Sequence, residues 1–234
     1  MLEIRGLQAS YGDSQALFGI DLRVPAGAGV ALLGRNGAGK STLMKSVLDA
    51  GPRTQGELRF NGVALQGQST EARARMGLAL VPEDRRLFAT LTVRQNLELA
   101  WYAAPRDRPR MTVDAVVKLF PLLAPLLERL GDQLSGGQQQ LVAVARGLMA
   151  SPALLMLDEP AEGLAPKVAN DLAREVRAAR TVLGLTVLVA EQSIAYARQC
   201  TEYVYLLDSG QIVFAGDWAA FDADPQLKMR YLAV

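Results

Sequence analysis

The chain contains no histidine and a single cysteine, Cys200, among its 234 residues. A zinc or haem site built on His and Cys ligands is therefore disfavoured from the start. One cysteine cannot form an intramolecular disulfide framework, and its lone presence fits a reducing compartment. Aromatic residues are scarce at 6%, and neither charge dominates: 25 Lys and Arg stand against 24 Asp and Glu. A formal net charge of +1 leaves no electrostatic footprint for nucleic acid, so no nucleic-acid partner is expected. No apolar run reaches the roughly 18 residues that read as a membrane span. The opening stretch MLEIRGLQASYGD has charges at positions 3 and 5 and no apolar centre, so it is not expected to be a signal peptide. A soluble, cytoplasmic chain is expected, reaching a membrane only through a partner.

What the sequence does have is a large apolar fraction, 50%, broken into short runs. Residues 29–33 (GVALL), 78–81 (LALV), 153–157 (ALLML), 186–189 (TVLV) and 203–207 (YVYLL) read as strands covered on both faces. Helix-like stretches at 39–50, 136–150 and 166–180 separate most of them, which predicts a mostly parallel α/β sheet. Residues 2–7, 20–24 and 57–60 are shorter, more polar and flanked by Gly, Pro and Asn, which predicts a small antiparallel sheet. From about 83 to 134 the pattern is helical, with LTVRQNLELAWY, VDAVVKLF and PLLAPLLERL punctuated by Pro105, Pro109, Pro121 and Pro125. The basic cluster 106–110 in this stretch reads as a solvated loop. The length suits one domain or two subdomains sharing a core. The expected division is a core of residues 1–82 and 151–234, with a helical subdomain, 83–150, inserted.

The strongest local signal is GRNGAGKST at residues 34–42, which fits G-x-x-x-x-G-K-[ST] between an expected strand and an expected helix. Its glycines let successive amides turn inward, and the following helix points its N-terminal dipole at bound phosphate. The loop Gly34, Arg35, Asn36, Gly37, Ala38, Gly39, Lys40, Ser41 and Thr42 is expected to hold a nucleoside triphosphate. Lys40 would contact the β- and γ-phosphates and Ser41 would hold Mg²⁺. A second signal, ALLMLDEP at 153–160, delivers Asp158 and Glu159 to the carboxyl end of a strand. Asp158 would support Mg²⁺, and Glu159 would orient or deprotonate the attacking water. Taken alone, DEP could be only an acidic turn.

A third signal is LSGGQQQ at 134–140. Ser135 followed by Gln138 is a capping-box pattern, and Gly136 and Gly137 expose amides at a second helix N-terminus able to hold an anion. With this motif the chain resembles, from end to end, the ATP-binding subunits of ABC transporters. The resemblance implies a P-loop NTPase (RecA-like) core with an N-terminal antiparallel β subdomain and an inserted signature subdomain. It implies ATP and Mg²⁺ as ligands, and two subunits sandwiching two nucleotides, each signature (Ser135, Gly136, Gly137, Gln138) closing over the partner's ATP. It also assigns Tyr11, in ASYGDSQAL, to the adenine base, although a strand-end surface tyrosine would read the same way. VPEDRRLFATLTVRQNL, LDEPAEGLAP, LVAEQS and DPQLKMRYLAV resemble segments of the high-affinity branched-chain amino-acid uptake branch, of LivF type. The urea and short-amide subunits are close relatives of that branch. The resemblance implies a homodimer or a heterodimer with a LivG-type subunit. It further implies two transmembrane permease subunits and, indirectly, a periplasmic solute-binding protein, with the chain lying on the inner face of the membrane.

Three positions depart from the wider ABC pattern. Glu83 stands where a glutamine usually meets both Mg²⁺ and the permease, and Arg85 and Arg86 could offset its charge. Ala165 replaces an aspartate that links subunits. Gln192 replaces a histidine; its amide can donate to a γ-phosphate oxygen but cannot titrate near neutral pH. A working ATPase with Gln192 as a positioning group is the expectation, against a helix-entry residue that never meets nucleotide. A soluble non-transport ABC ATPase and a nucleotide-binding regulator without hydrolysis are the other two classes. Retention of Lys40, Asp158 and Glu159 argues against the regulator. A single ATP cassette and the lack of sustained heptads argue against the translation and DNA-repair types.

Overall fold

A computed structural model describes residues 1–102 and 111–232. The basic cluster 106–110, Pro105, Pro109 and the last two residues of the tail motif lie outside the described residues. Strands β1 (Leu2–Tyr11) and β2 (Ser14–Val24) form an antiparallel hairpin running from Leu2 opposite Val24 to Tyr11 opposite Ser14. β3 (Gly29–Leu33), α1 (Lys40–Leu48) and β4 (Arg53–Phe60) follow, and β4 pairs with the other edge of β1. Asn61 and Gly62, both at positive φ, turn the chain into β5 (Val63–Ala64). That Asn-Gly pair is the sequence of a tight hairpin turn. The resulting four-stranded sheet, β2-β1-β4-β5, has one wet face, because Leu2, Ile4, Leu7 and Ala9 point inward while their neighbours reach solvent.

α2 (Thr70–Arg75) and β6 (Leu78–Val81) lead into the helical stretch: α3 (Val93–Glu98), α4 (Val113–Leu119) and α5 (Gly136–Met149). The chain then alternates through β7 (Leu154–Asp158), α6 (Pro166–Leu183), β8 (Thr186–Glu191), α7 (Ile194–Cys200) and β9 (Tyr203–Asp208). It ends with β10 (Gln211–Asp217), α8 (Trp218–Ala223) and α9 (Pro225–Tyr231). The second sheet has the order β10-β9-β3-β8-β7-β6. All its strands are parallel except the edge strand β10.

The continuous apolar runs are explained by two covered faces. On β3, Val30 and Leu32 join a core shared with α1 and the antiparallel sheet, while Ala31 and Leu33 face α7, α8 and α9. On β7 and β8, Leu155, Leu157, Val187 and Val189 pack under α5 and α6. Each such Leu or Val contributes about 1.5–3 kcal/mol by leaving water. Among the described residues no helix is long and apolar enough to cross a membrane.

Candidate functional site

Because β3, β7 and β8 are parallel neighbours, their carboxyl ends present three loops on one edge, with the end of β6 beside them. After β3 comes the glycine loop. A Cβ on Gly34 would stand 2.5 Å from the Leu207 carbonyl oxygen, and Gly39 holds φ 109° immediately before α1. Only glycine suits either place. Lys40, at the first turn of α1, is buried, and its Nζ donates to the carbonyls of Gly34 (2.7 Å) and Arg35 (2.9 Å). It also forms an ion pair with Glu159 Oε1 at 3.2 Å, between side chains 2% and 8% exposed. The cavity above the loop, about 420 Å³, is lined by Lys40, Ser41, Thr42 and Glu159 together with Gln15, Ala16, Phe18, Ser209 and Gly210.

After β7, Asp158 is buried and accepts a hydrogen bond from Ser41 Oγ at 3.0 Å. Burial pushes its carboxyl above the usual carboxylate range; the Ser41 bond opposes this, and the charges of Glu159 and Glu83 add to it. Glu159 sits at φ 48°, left-handed backbone that a non-glycine residue occupies at a cost of order 1–3 kcal/mol. Its amide is fixed by a bond to the Ala190 carbonyl (2.9 Å). After β8, Gln192 Nε2 donates both to Asn36 Oδ1 of the glycine loop and to Glu159 Oε2 at 3.3 Å. One amide thus joins all three loops. The sequence pattern placed Asn36 in the phosphate loop but gave no signal of its contact with Gln192, which spans 156 positions.

The remaining expected residues are distributed differently. Ser135 Oγ accepts the Gln138 amide (3.4 Å) and Gln138 Oε1 accepts the Ser135 amide (2.9 Å), so the capping box is present at the start of α5. Ser135, Gly136, Gly137 and Gln138 border a separate, more apolar cavity with Leu122, Leu164 and Ala165, and none of them reaches the Lys40 cavity. Tyr11, 45% exposed, stands at the end of β1 beside Gly51 and is not part of the Lys40 cavity wall; the aromatic there is Phe18. Glu83 is exposed just past β6. Arg85 and Arg86 do not turn to it. Arg85 donates to Gln140 (3.1 Å) and Gln139 (3.4 Å) on α5, while Arg86 pairs with Asp84 at 2.9 Å. Neither arginine bonds to Glu83, and both sit in left-handed backbone.

The donor set at Asp158 fits a magnesium ion carried by nucleotide. Such an ion takes one hydroxyl, one carboxylate, phosphate oxygens and water, and Ser41 and Asp158 supply the first two side by side. Among the described residues no cluster of three or more acidic, Cys or His groups forms a self-sufficient metal cage, which a phosphate-bridged ion does not need.

A parallel sheet with a glycine-loop lysine and a strand-end Asp-Glu pair at its carboxyl edge defines a P-loop NTPase. Residues 17–162 match the family described as ABC transporter, and the chain belongs to that family. It is 36% identical over 232 residues to the high-affinity branched-chain amino acid transport ATP-binding protein BraG of Pseudomonas aeruginosa, covering 99% of both chains. To the probable branched-chain amino acid transport ATP-binding protein LivF of Archaeoglobus fulgidus it is 34% identical over 216 residues, 92% of each. Its fold is similar to the dimeric post-hydrolysis structure of the ATP-binding cassette MJ0796 bound to ADP and Pi. There the TM-score is 0.79 and the identity 25%, covering 93% of this chain and 98% of that one. The chain is an ATP-binding ABC ATPase subunit, as its motifs indicated.

Proposed function

We propose that this chain hydrolyses ATP to drive an importer for branched-chain amino acids. The observation that carries the reading is the meeting of Lys40, Glu159 and Gln192 with the Ser41–Asp158 pair on one sheet edge, in a chain akin over its whole length to such subunits. Glu159 orients the attacking water and accepts its proton as the water oxygen bonds to the γ-phosphorus and the bond to the β,γ-bridging oxygen breaks. Lys40, preset by two loop carbonyls, neutralises charge on the β- and γ-phosphates. Gln192 offers an amide N–H to the γ-phosphate and keeps its tie to Glu159. Ser41 and Asp158, with Glu83 nearby, would hold Mg²⁺, which would supply neutralisation of phosphate charge when bound. Tyr11 reaches the base from the rim.

Residues 1–82 and 151–234 act as the ATP-binding core and 83–150 as the signature subdomain. The separation of the Lys40 and Ser135 cavities supports a second ATP-binding subunit whose signature completes the site. That subunit is another copy or a LivG-type partner. Two permease chains hold the pair at the inner face of the membrane, fed by a periplasmic binding protein. A phosphate-release assay with Glu159→Gln is the test of the chemistry. Turnover should fall at least about 100-fold while ATP is still bound, and parental turnover in this variant refutes the assignment. Co-purification with permease chains and uptake of leucine, but not urea, by the assembled transporter test the coupling.

A further inference from the structure

Glu191, the last residue of β8, is a carboxylate only 3% exposed with no basic side chain among its hydrogen-bond partners in the described residues, and the chemistry above does not use it. Among the described residues its hydrogen bonds all come from backbone amides. Oε1 accepts the N–H of Ala161 (2.8 Å), two residues past Glu159. Oε2 accepts the N–H of Gln192 (3.1 Å) and of Ser193 (3.1 Å). One side of the carboxylate therefore grips the loop after β7 and the other grips the loop after β8. The same two loops touch again where Glu159 N–H meets the Ala190 carbonyl and where Gln192 Nε2 meets Glu159 Oε2.

We propose that Glu191 is a positioning residue for hydrolysis: its buried carboxylate locks the loop that carries Glu159 against the loop that carries Gln192. The physical reason is the left-handed backbone of Glu159. Such a conformation persists only where its surroundings over-determine it. Ala161 is the next point downstream at which the loop is tied to β8, and a charged acceptor makes that tie stronger than a neutral one. A carboxylate is also the only side chain that accepts on both oxygens at once, as the three amides require.

Burial outweighs the three amide bonds and lifts the Glu191 carboxyl to about 7, with the Glu159 charge adding to the rise. The titratable groups around it are Glu159 on the neighbouring loop and Tyr196 and Cys200 on α7. Burial drives the latter two upward, away from neutral pH. Protonated Glu191 gives up part of its acceptor capacity, so the lock weakens as pH falls through about 7.

The inference rests on the roles proposed for Glu159 and Gln192, and the experiment separates the two. Phosphate release by the full chain is measured against MgATP concentration from pH 6 to 8 for the parent, Glu191→Gln, Glu191→Asp and Glu159→Gln. Glu191→Gln keeps size and polarity but presents an amide nitrogen that cannot accept. Its kcat should fall about tenfold with KM for ATP within about twofold, because at least one bond is lost from the lock and the others lose their charge assistance. The parent's kcat should rise with pH through about 7 and that of the variant should not. Glu191→Asp keeps the charge but lacks the reach, so it should show the same loss of kcat, and it carries the comparison should the glutamine variant not fold. Parental kcat in the Glu191 variants, a change confined to KM, or an identical acid limb in parent and Glu191→Gln overturns the lock. An active Glu159→Gln overturns the assigned base instead, whatever the Glu191 variants do.

Discussion

Gln192 shows how a neutral amide can occupy a place that a histidine could fill. Its Nε2 spans the gap between Asn36 and Glu159, so the geometry of a bridging donor is kept while the titratable charge is gone. Removing the bridge with Gln192→Ala deletes one neutral hydrogen bond, to Asn36, worth about 0.5–1.5 kcal/mol, and one to a charged acceptor, the Glu159 carboxylate, worth about 1.5–3 kcal/mol. Turnover should therefore fall roughly tenfold or more in a phosphate-release assay. Parental turnover would make Gln192 a mere loop residue. Gln192→His should give the enzyme a new titration near pH 6.5. That titration should come in addition to the Glu191 limb, which Gln192→Ala should show alone.

Helix starts carry much of the local order. Ser69, Thr92, Thr112, Ser135 and Ser193 each cap a helix by accepting an amide from its first turn. α6, the longest helix described, breaks the pattern, since Ala165 occupies its N-cap with extended backbone and offers no acceptor. Ala165→Asp should supply one and meet the positive end of the helix dipole, raising stability by about 0.5–2 kcal/mol. Chemical denaturation of the two chains checks this, and an unchanged midpoint would show that solvent already serves the α6 amides. Elements with such local signatures were legible in the sequence: β3 and β6 match the expected bounds, and the glycine loop and the α5 capping box need only a few adjacent residues. β10 was not, because an antiparallel edge strand alternates exposed and half-buried residues and leaves no apolar run. The Asn61-Gly62 hairpin turn, immediately after 57–60, has such a local signature too. At the site, residue types followed from motifs, whereas the Glu159 backbone, the Glu191 ties and the Asn36–Gln192 contact join segments far apart in the chain. No window of sequence contains them.

The whole molecule carries two further consequences. Burial raises both Glu191 and Glu175 from 4.5 to about 7, Glu175 lying where α6 meets the Leu122 amide. Each carboxyl binds its proton more tightly folded than unfolded, so the folded chain holds more protons between these two pH values. Their contribution to stability is complete below about pH 4.5 and is lost as pH rises through about 7. Glu175→Gln should therefore raise the melting temperature at pH 8 relative to the parent and change it little at pH 5. The opposite order would mean that the carboxylate form is the better accommodated one. The second consequence concerns assembly. Lys40 and Ser135 line different cavities of one chain, so on the proposed reading each signature completes a partner's nucleotide site. Lys40→Ala spoils a chain's own phosphate cradle, while Ser135→Arg removes the cap of α5 and places a bulky cation over its amides. Each variant alone, in a symmetric pair, has a defect at both nucleotide sites and should be inactive. Mixed in equal amounts, half the pairs are hybrids, and in each hybrid the cradle of the Ser135→Arg chain faces the intact signature of the Lys40→Ala chain. A homodimer should then recover about a quarter of parental turnover on mixing, from one intact site in half of the pairs. No recovery, from chains that are folded and exchange partners, would mean that the completing signature belongs to a different subunit, and the same mixing with that subunit's variants would identify it.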